Sequence, residues 1–146
     1  MIPKFVSIGS VWPVLPPGLY NATLREIEDR FCTNSHRKCL FEGFKKGVAS
    51  LLCAGCNTIF LDGSFVSGKP YPRDFDVCWD PTGVDDKKLD PVLLDFSQNR
   101  RRQKQELGGE FFPASVLADG HRTFVDFFQR DRHTGKAKGI IKVHFT

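Results

Sequence analysis

Apolar residues recur at helical spacing through the stretch "SHRKCLFEGFKKGVASLLCAGC". Leu40, Phe41, Phe44, Val48, Leu51 and Leu52 fall on one side of a 3.6-residue repeat, so a helix from about His36 to Cys53 is expected, amphipathic and packed on a sheet. Upstream, Thr23 stands three residues before Glu26, the spacing of a capping box, and predicts a short helix over 24–31. Short apolar or alternating runs predict strands at "NTIFLDG", "DFDVCW", "EFFPA" and "GIIKVHF". After a turn at "DPTG", Asp90 and Pro91 suit an N-cap and first helical residue. Val92, Leu93 and Phe96 give that helix a short apolar stripe. The same helix is expected to run on into Arg100, Arg101, Arg102 and Lys104, ending at Gly108 and Gly109. "DGHRT" reads as a turn and Phe124 to Gln129 as a short helix. Helices interleaved with strands predict an α/β or α+β fold, a single mixed sheet packed with helices, in one domain over 1–146.

Composition adds limits. Of 146 residues, 40% are hydrophobic and 26% charged, an ordinary globular balance, and 14 phenylalanines predict an aromatic core. The net charge of +4 permits an anionic partner without requiring one. No apolar run approaches the roughly 18 residues of a membrane span, so no membrane partner is expected. The start, "MIPKFVSIGSVWPVLPPGLY", is broken by prolines and lacks a signal-peptide apolar region, which predicts a cytoplasmic protein. The odd count of five cysteines fits free thiols in a reducing compartment. Cys53 and Cys56 form a C-x-x-C with no second pair, short of the four ligands of a zinc site. A helix end with Gly55 as terminator and small thiols packed beneath it accounts for them. His121, His133 and His144 show no metal-ligand spacing and are assigned no role.

Candidate chemistry concentrates in "IFLDGSFVSGKPYPRDFDVCWD". In a strand, Asp74, Asp76 and Cys78 share one face while Phe75, Val77 and Trp79 point into the core. The two carboxylates then stand about 7 Å apart and repel each other. A hard divalent ion, Mg²⁺ or Mn²⁺, would offset that repulsion. D-x-D alone also suits a solvated acidic strand edge; Gly63 and Ser64, ahead of it, change the balance. They fall where a strand ends and a short helical turn begins. There, backbone N–H groups and a hydroxyl suit phosphate, and glycine lets the chain approach an anion closely. Lys69, closing the turn, is placed to reach a phosphate oxygen, although a solvated turn lysine fits the same position.

These residues, in the pattern G-S-x9-D-x-D, resemble the signature of the DNA polymerase β-type nucleotidyltransferases. The likeness is greatest to minimal nucleotidyltransferases of toxin–antitoxin and phage-defence loci, and to small bacterial and phage proteins of that superfamily. "LPPGLYNATLREIEDRF", "GGEFFPA" and "FVDFFQRDRHTGKAKGIIKV" extend the resemblance from about Leu15 to Val143. It implies a mixed sheet with helices against it and transfer of a nucleoside monophosphate from an NTP, with pyrophosphate leaving. It implies that Gly63 and Ser64 hold the triphosphate, and that Asp74 and Asp76 bind the divalent ions. A third carboxylate from a neighbouring strand, more often aspartate in the family, falls on Glu110 in "GGEFF". Asp80 and Asp126 are the other candidates. Asp80 lies further along its strand, and Asp126 lies in a segment better suited to a short helix, where capping or exposure explains it.

The expected function is therefore metal-dependent transfer of a nucleoside monophosphate to an RNA, protein or small-molecule acceptor. Arg100 to Lys104 serve either as a solvated helix face or as a contact to the acceptor's backbone. The alternative is a non-catalytic module of the same fold that works by binding a partner protein or nucleic acid, as an antitoxin or phage-encoded inhibitor would.

Overall fold

The computed structural model describes residues 1–114 and 123–145. Five strands form one mixed sheet: β1 (Gly18–Ala22), β2 (Ile59–Asp62), β3 (Phe75–Trp79), β4 (Gly109–Pro113) and β5 (Gly139–Val143), in the spatial order β1-β5-β2-β3-β4. The inner pairs β2–β3 and β2–β5 are antiparallel, and the outer pairs β1–β5 and β3–β4 are parallel. Four α-helices accompany the strands among the described residues: α1 (Leu24–Phe31), α2 (Ser35–Cys53), α3 (Ser97–Leu107) and α4 (Phe124–Phe127). The α/β expectation with one mixed sheet holds.

One face of the sheet carries the main core. Ile27 and Phe31 of α1 and Phe41, Phe44, Val48 and Leu51 of α2 are buried together with Ile59, Leu61, Phe75, Val77, Trp79, Phe111 and Ile141 of the strands. Edge-to-face contacts link Phe44 to Phe75 and Phe75 to Phe111, at 5.7 and 5.6 Å between ring centres. Helix α2 lies so close to β4 that a Cβ at Gly47 would stand 2.3 Å from the Phe111 ring. Thr23 caps α1 by accepting the Glu26 N–H, and Gly108, at φ +83°, ends α3 in the left-handed conformation. The opposite face of the sheet bears a smaller cluster of Cys78, Phe112 and Ala114, against which Phe60 and Phe124, Val125 and Phe128 of the α4 segment pack.

Three local expectations need correction. Strand β1 was not expected, because Pro16 and Pro17 precede it. At a sheet edge that costs little, since the prolines stand outside the β1–β5 ladder. The two thiols at the end of α2 are not both packed beneath it: Cys53, its last residue, is exposed, and Cys56, just past it, is buried. The long helix from Pro91 to Lys104 is broken. A 3₁₀ turn over Pro91–Leu94, capped by Asp90, precedes α3. At the break, the Asp95 carboxylate accepts the Ser97 N–H and hydroxyl, giving the backbone an alternative to the helical ladder. Inside α3, Gln98, Asn99 and Arg100 all adopt left-handed backbone, with φ of 51°, 54° and 58°. Each such residue costs roughly 1–2 kcal/mol in an L-amino-acid chain. The turn "DGHRT" falls mostly outside the described residues, as does His121.

Candidate functional site

The antiparallel β2–β3 register sets Asp62 opposite Asp76, and the parallel β3–β4 register sets Asp76 opposite Glu110. Three carboxyl side chains from three adjacent strands therefore form one row on the face away from α1 and α2. In-register neighbours on one face stand about 5 Å apart at Cβ. Asp74, just before β3, joins the row: its charge and that of Glu110 both act on Asp76. The expected placement of "EFFPA" beside "DFDVCW" holds, and Glu110 is the acid it delivers.

The glycine-serine turn meets this row. Gly63 has φ +83°, and a Cβ there would stand 2.3 Å from the Asp76 carboxylate. Any side chain would therefore be strained by its backbone and would collide with the acid. Ser64 opens the expected helical turn, a 3₁₀ turn over Ser64–Val66, and its hydroxyl bonds no described residue. Lys69 is half-buried, and its charge acts on Asp74. All six sequence-derived residues, Gly63, Ser64, Lys69, Asp74, Asp76 and Glu110, come together at one end of the sheet.

The acids are held in unfavourable surroundings. Burial, followed by the charges of Asp74 and Glu110, pushes the Asp76 carboxyl up to about 8. Burial, then Glu110, raises Asp74 as well. Asp62 is fully buried, and burial followed by the Asp76 charge pushes it well above the usual carboxylate range. Its Oδ2 accepts a weak hydrogen bond from the Cys78 thiol at 3.7 Å, while its Oδ1 is buried with no partner. Neither the Asp74 nor the Asp76 carboxylate accepts a hydrogen bond from a donor among the described residues.

Cations ring the row. Lys138 offsets the charge of both Asp62 and Asp76, and Arg132 that of Asp76. The loop before β5 brings both. Asp131 shapes it by accepting the Thr134 N–H at 2.7 Å, the Thr134 hydroxyl at 2.8 Å and the Ser10 hydroxyl at 3.2 Å. Glu110, unlike the aspartates, is paired: Arg100 Nε lies 2.7 Å from one oxygen and Lys104 Nζ 3.5 Å from the other. Among the described residues no three His, Cys, Asp or Glu side chains converge as a preformed metal site. With Glu110 held by Arg100 and Lys104, the acids that stand open are Asp74 and Asp76. The carboxylate oxygens of Asp74 and Asp76, without a hydrogen-bond partner among the described residues, and the orphaned Oδ1 of Asp62 opposite Asp76 are the donor type that hard divalent ions take.

The turn that carries Ser64 and Lys69 is held from below. Arg37, buried at the first turn of α2, donates to the carbonyls of Phe65 (2.7 Å), Ser67 (2.9 Å) and Lys69 (2.5 Å), and to that of Phe31. Asn34 Nδ2 adds the Pro70 carbonyl at 2.8 Å. A buried guanidinium with no carboxylate is tolerated because carbonyl dipoles satisfy its donors.

Sequence reasoning missed Asp62, Arg37, Arg132 and Lys138. Asp62 was detectable: it ends the alternation of "IFLD", opposite in face to Ile59 and Leu61. Arg37 carried no signal, since only the fold brings 65–69 over it. The rejected third acids lie elsewhere. Asp80 is past the far end of β3, accepting the Thr82 N–H, and Asp126 is exposed on α4, bonded by the Thr123 hydroxyl. Of the basic run, Arg101 is exposed, whereas Arg102 pairs with Asp95 and Glu106, each at 3.3 Å. His133 and His144 are exposed and take no part in the site.

No curated protein and no solved structure matches the chain. One family model does, over residues 10–144, nearly the whole length, and the chain belongs to that family, the family of unknown function DUF6932.

Proposed function

We propose that the protein is a metal-dependent nucleotidyltransferase, moving a nucleoside monophosphate from an NTP to a hydroxyl of an RNA, protein or small-molecule acceptor. The observation that carries this reading is the row Asp62–Asp76–Glu110 across three strands, flanked by Asp74 and closed by Gly63, with a buried Asp62 oxygen lacking any partner. Asp74 and Asp76 would hold Mg²⁺ or Mn²⁺, with Glu110 as third ligand. Such an ion supplies charge neutralisation at the phosphates and the attacking oxygen. Ser64 donates its free hydroxyl to a phosphate oxygen, and Lys69 neutralises a second. Gly63 keeps the turn close enough for both. The acceptor hydroxyl oxygen bonds to the α-phosphorus, its proton passes to the Glu110 carboxylate, and the bond to the β-phosphate oxygen breaks, so that pyrophosphate leaves with the electron pair.

The deciding experiment incubates the chain with each α-labelled NTP, Mg²⁺ or Mn²⁺, and total RNA or lysate. Label in a macromolecule, lost with Asp76→Asn, supports the enzyme. A second reading rests on the Arg100–Glu110–Lys104 cluster, which fills the third ligand position with protein cations: a non-catalytic module that binds a partner protein or nucleic acid. No transfer with any NTP, alongside stoichiometric co-purification of one partner, favours it.

A further inference from the structure

Three consecutive non-glycine residues in left-handed backbone are a strained arrangement, and their place is not arbitrary. The third of them, Arg100, carries the side chain that reaches Glu110. Its guanidinium also lies 4.2 Å from the centre of the Phe112 ring, on the strand face that bears the acid row. The ion pair is partly buried, with the two side chains 23% and 15% exposed, so it is not a freely solvated surface pair. Strain persists where neighbouring contacts hold it, and here the holding contacts are Glu110 and Phe112.

The geometry points to Arg100 as a displaceable counter-ion: it occupies Glu110 while the site is empty, and becomes a ligand of the nucleotide's phosphates when Glu110 turns to the divalent ion. This rests on the function proposed above and adds a residue and an order of events to it. The charges support the exchange. Glu110 cannot serve the Arg100 Nε–H and an ion with the same oxygen. Once released, the guanidinium needs an anion, and the one arriving at Gly63 and Ser64 is a polyphosphate. Its planar fork suits phosphate oxygens, and Phe112 keeps it stacked beside the row. Release from Glu110 removes one of the two contacts that hold residues 98–100 in left-handed backbone.

The test separates the two partners of Arg100. Mn²⁺ affinity alone, and affinity for a non-hydrolysable ATP analogue with Mn²⁺ saturating, are measured calorimetrically for wild type, Arg100→Ala and Arg100→Lys. Arg100→Ala is expected to bind Mn²⁺ about tenfold more tightly, because a charge-assisted competitor for Glu110 is gone, and the nucleotide analogue about tenfold more weakly. Arg100→Lys, which keeps the charge and serves as the control for a folding defect, is expected to shift each affinity in the same direction by less. Two affinities that fall together, or that both stay at the wild-type value, overturn the inference while Mn²⁺ uptake lost with Asp76→Asn keeps the metal reading standing. A wild-type chain that takes up no Mn²⁺ overturns both.

Discussion

Asp76→Asn tests the acid row without any assumption about substrate. The Asp76 carboxyl is pushed from an ordinary 3.8 to about 8, chiefly by burial and then by Asp74 and Glu110. Its folded-state pKa thus lies above its unfolded one, and the folded chain holds the proton more tightly. Stability contributed by that proton is fully present below about pH 4 and is lost as pH rises to about 8. A shift of about four units corresponds to roughly 5–6 kcal/mol at most. Asp76 retains some solvent contact, so relaxation and screening leave an expected loss of ~2–3 kcal/mol. Asparagine matches the shape of the neutral acid and does not titrate. Urea unfolding in EDTA, at steps from pH 4.5 to pH 8.5, is expected to show near-equal midpoints at the acid end. At the alkaline end the variant is expected to be more stable by ~2 kcal/mol. Asp62 reinforces the sign, because the variant also removes the Asp76 charge that raises it. Added Mn²⁺ at pH 8 is expected to restore stability to the wild type and not to the variant. Parallel pH profiles for the two proteins would refute the electrostatic account of the row.

Other consequences can be checked on the same protein. On the proposed reading Ser64→Ala would remove one hydrogen bond to a charged phosphate, worth roughly 1.5–3 kcal/mol, so nucleotide affinity by calorimetry should fall about tenfold or more with the urea midpoint unchanged. Arg37→Met strips donors from the Phe65, Ser67 and Lys69 carbonyls and should cost about 3 kcal/mol or more in urea unfolding, with Arg37→Lys recovering part of it. Gly63→Ala combines a left-handed φ with a clash on Asp76, and should abolish Mn²⁺-dependent nucleotide binding in equilibrium dialysis. Glu110→Gln should cost transfer of label heavily while leaving nucleotide binding in place, since in the proposed site Asp74 and Asp76 would still hold the triphosphate-bound ion.

What the chain revealed in advance follows from how locally each feature is determined. Helix α1 matched its expected bounds because the Thr23 cap and the Ile27 and Phe31 stripe lie within eight residues of one another. Strand β3 and its two-faced pattern were legible for the same reason: alternation in "DFDVCW" needs no partner strand to be recognised. Glu110 was reached from the crossover between β3 and β4, which forces a parallel neighbour. Residues whose role depends on distant chain were not visible. Arg37 meets carbonyls about 30 positions away, and Lys138 approaches Asp62 only through the β2–β5 pairing. The break before α3 was hidden because Val92, Leu93 and Phe96 fit a helical stripe equally well whether or not Asp95 turns its side chain back onto Ser97.

Asp62 bears on the choice between enzyme and binding module. A fold retained only to present a surface has no need of a carboxyl at the end of a buried strand, opposite a second one and beside a third. Burying an ionisable oxygen without a partner costs on the order of 1–3 kcal/mol or more, and each adjacent acid adds to it. An asparagine at 62 and another at 76 would keep the strand register and remove the repulsion. The arrangement is instead acid next to acid, with Lys138 and Arg132 near enough to moderate the charge and neither bonded to it. Had the cations been there to neutralise the row permanently, salt bridges to Asp62 and Asp76 would be the economical solution, as Arg100 and Lys104 show at Glu110. Asp62 and Asp76 take no such partner among the described residues, and burial favours their neutral forms, so a cation seated there would displace a proton, while the nearby lysine and arginine charges suit the polyphosphate of the proposed substrate. Acids without salt bridges at the centre and cations near the rim suit the proposed site for a metal-bound nucleotide, and on that ground favour the proposed enzyme over the binding module.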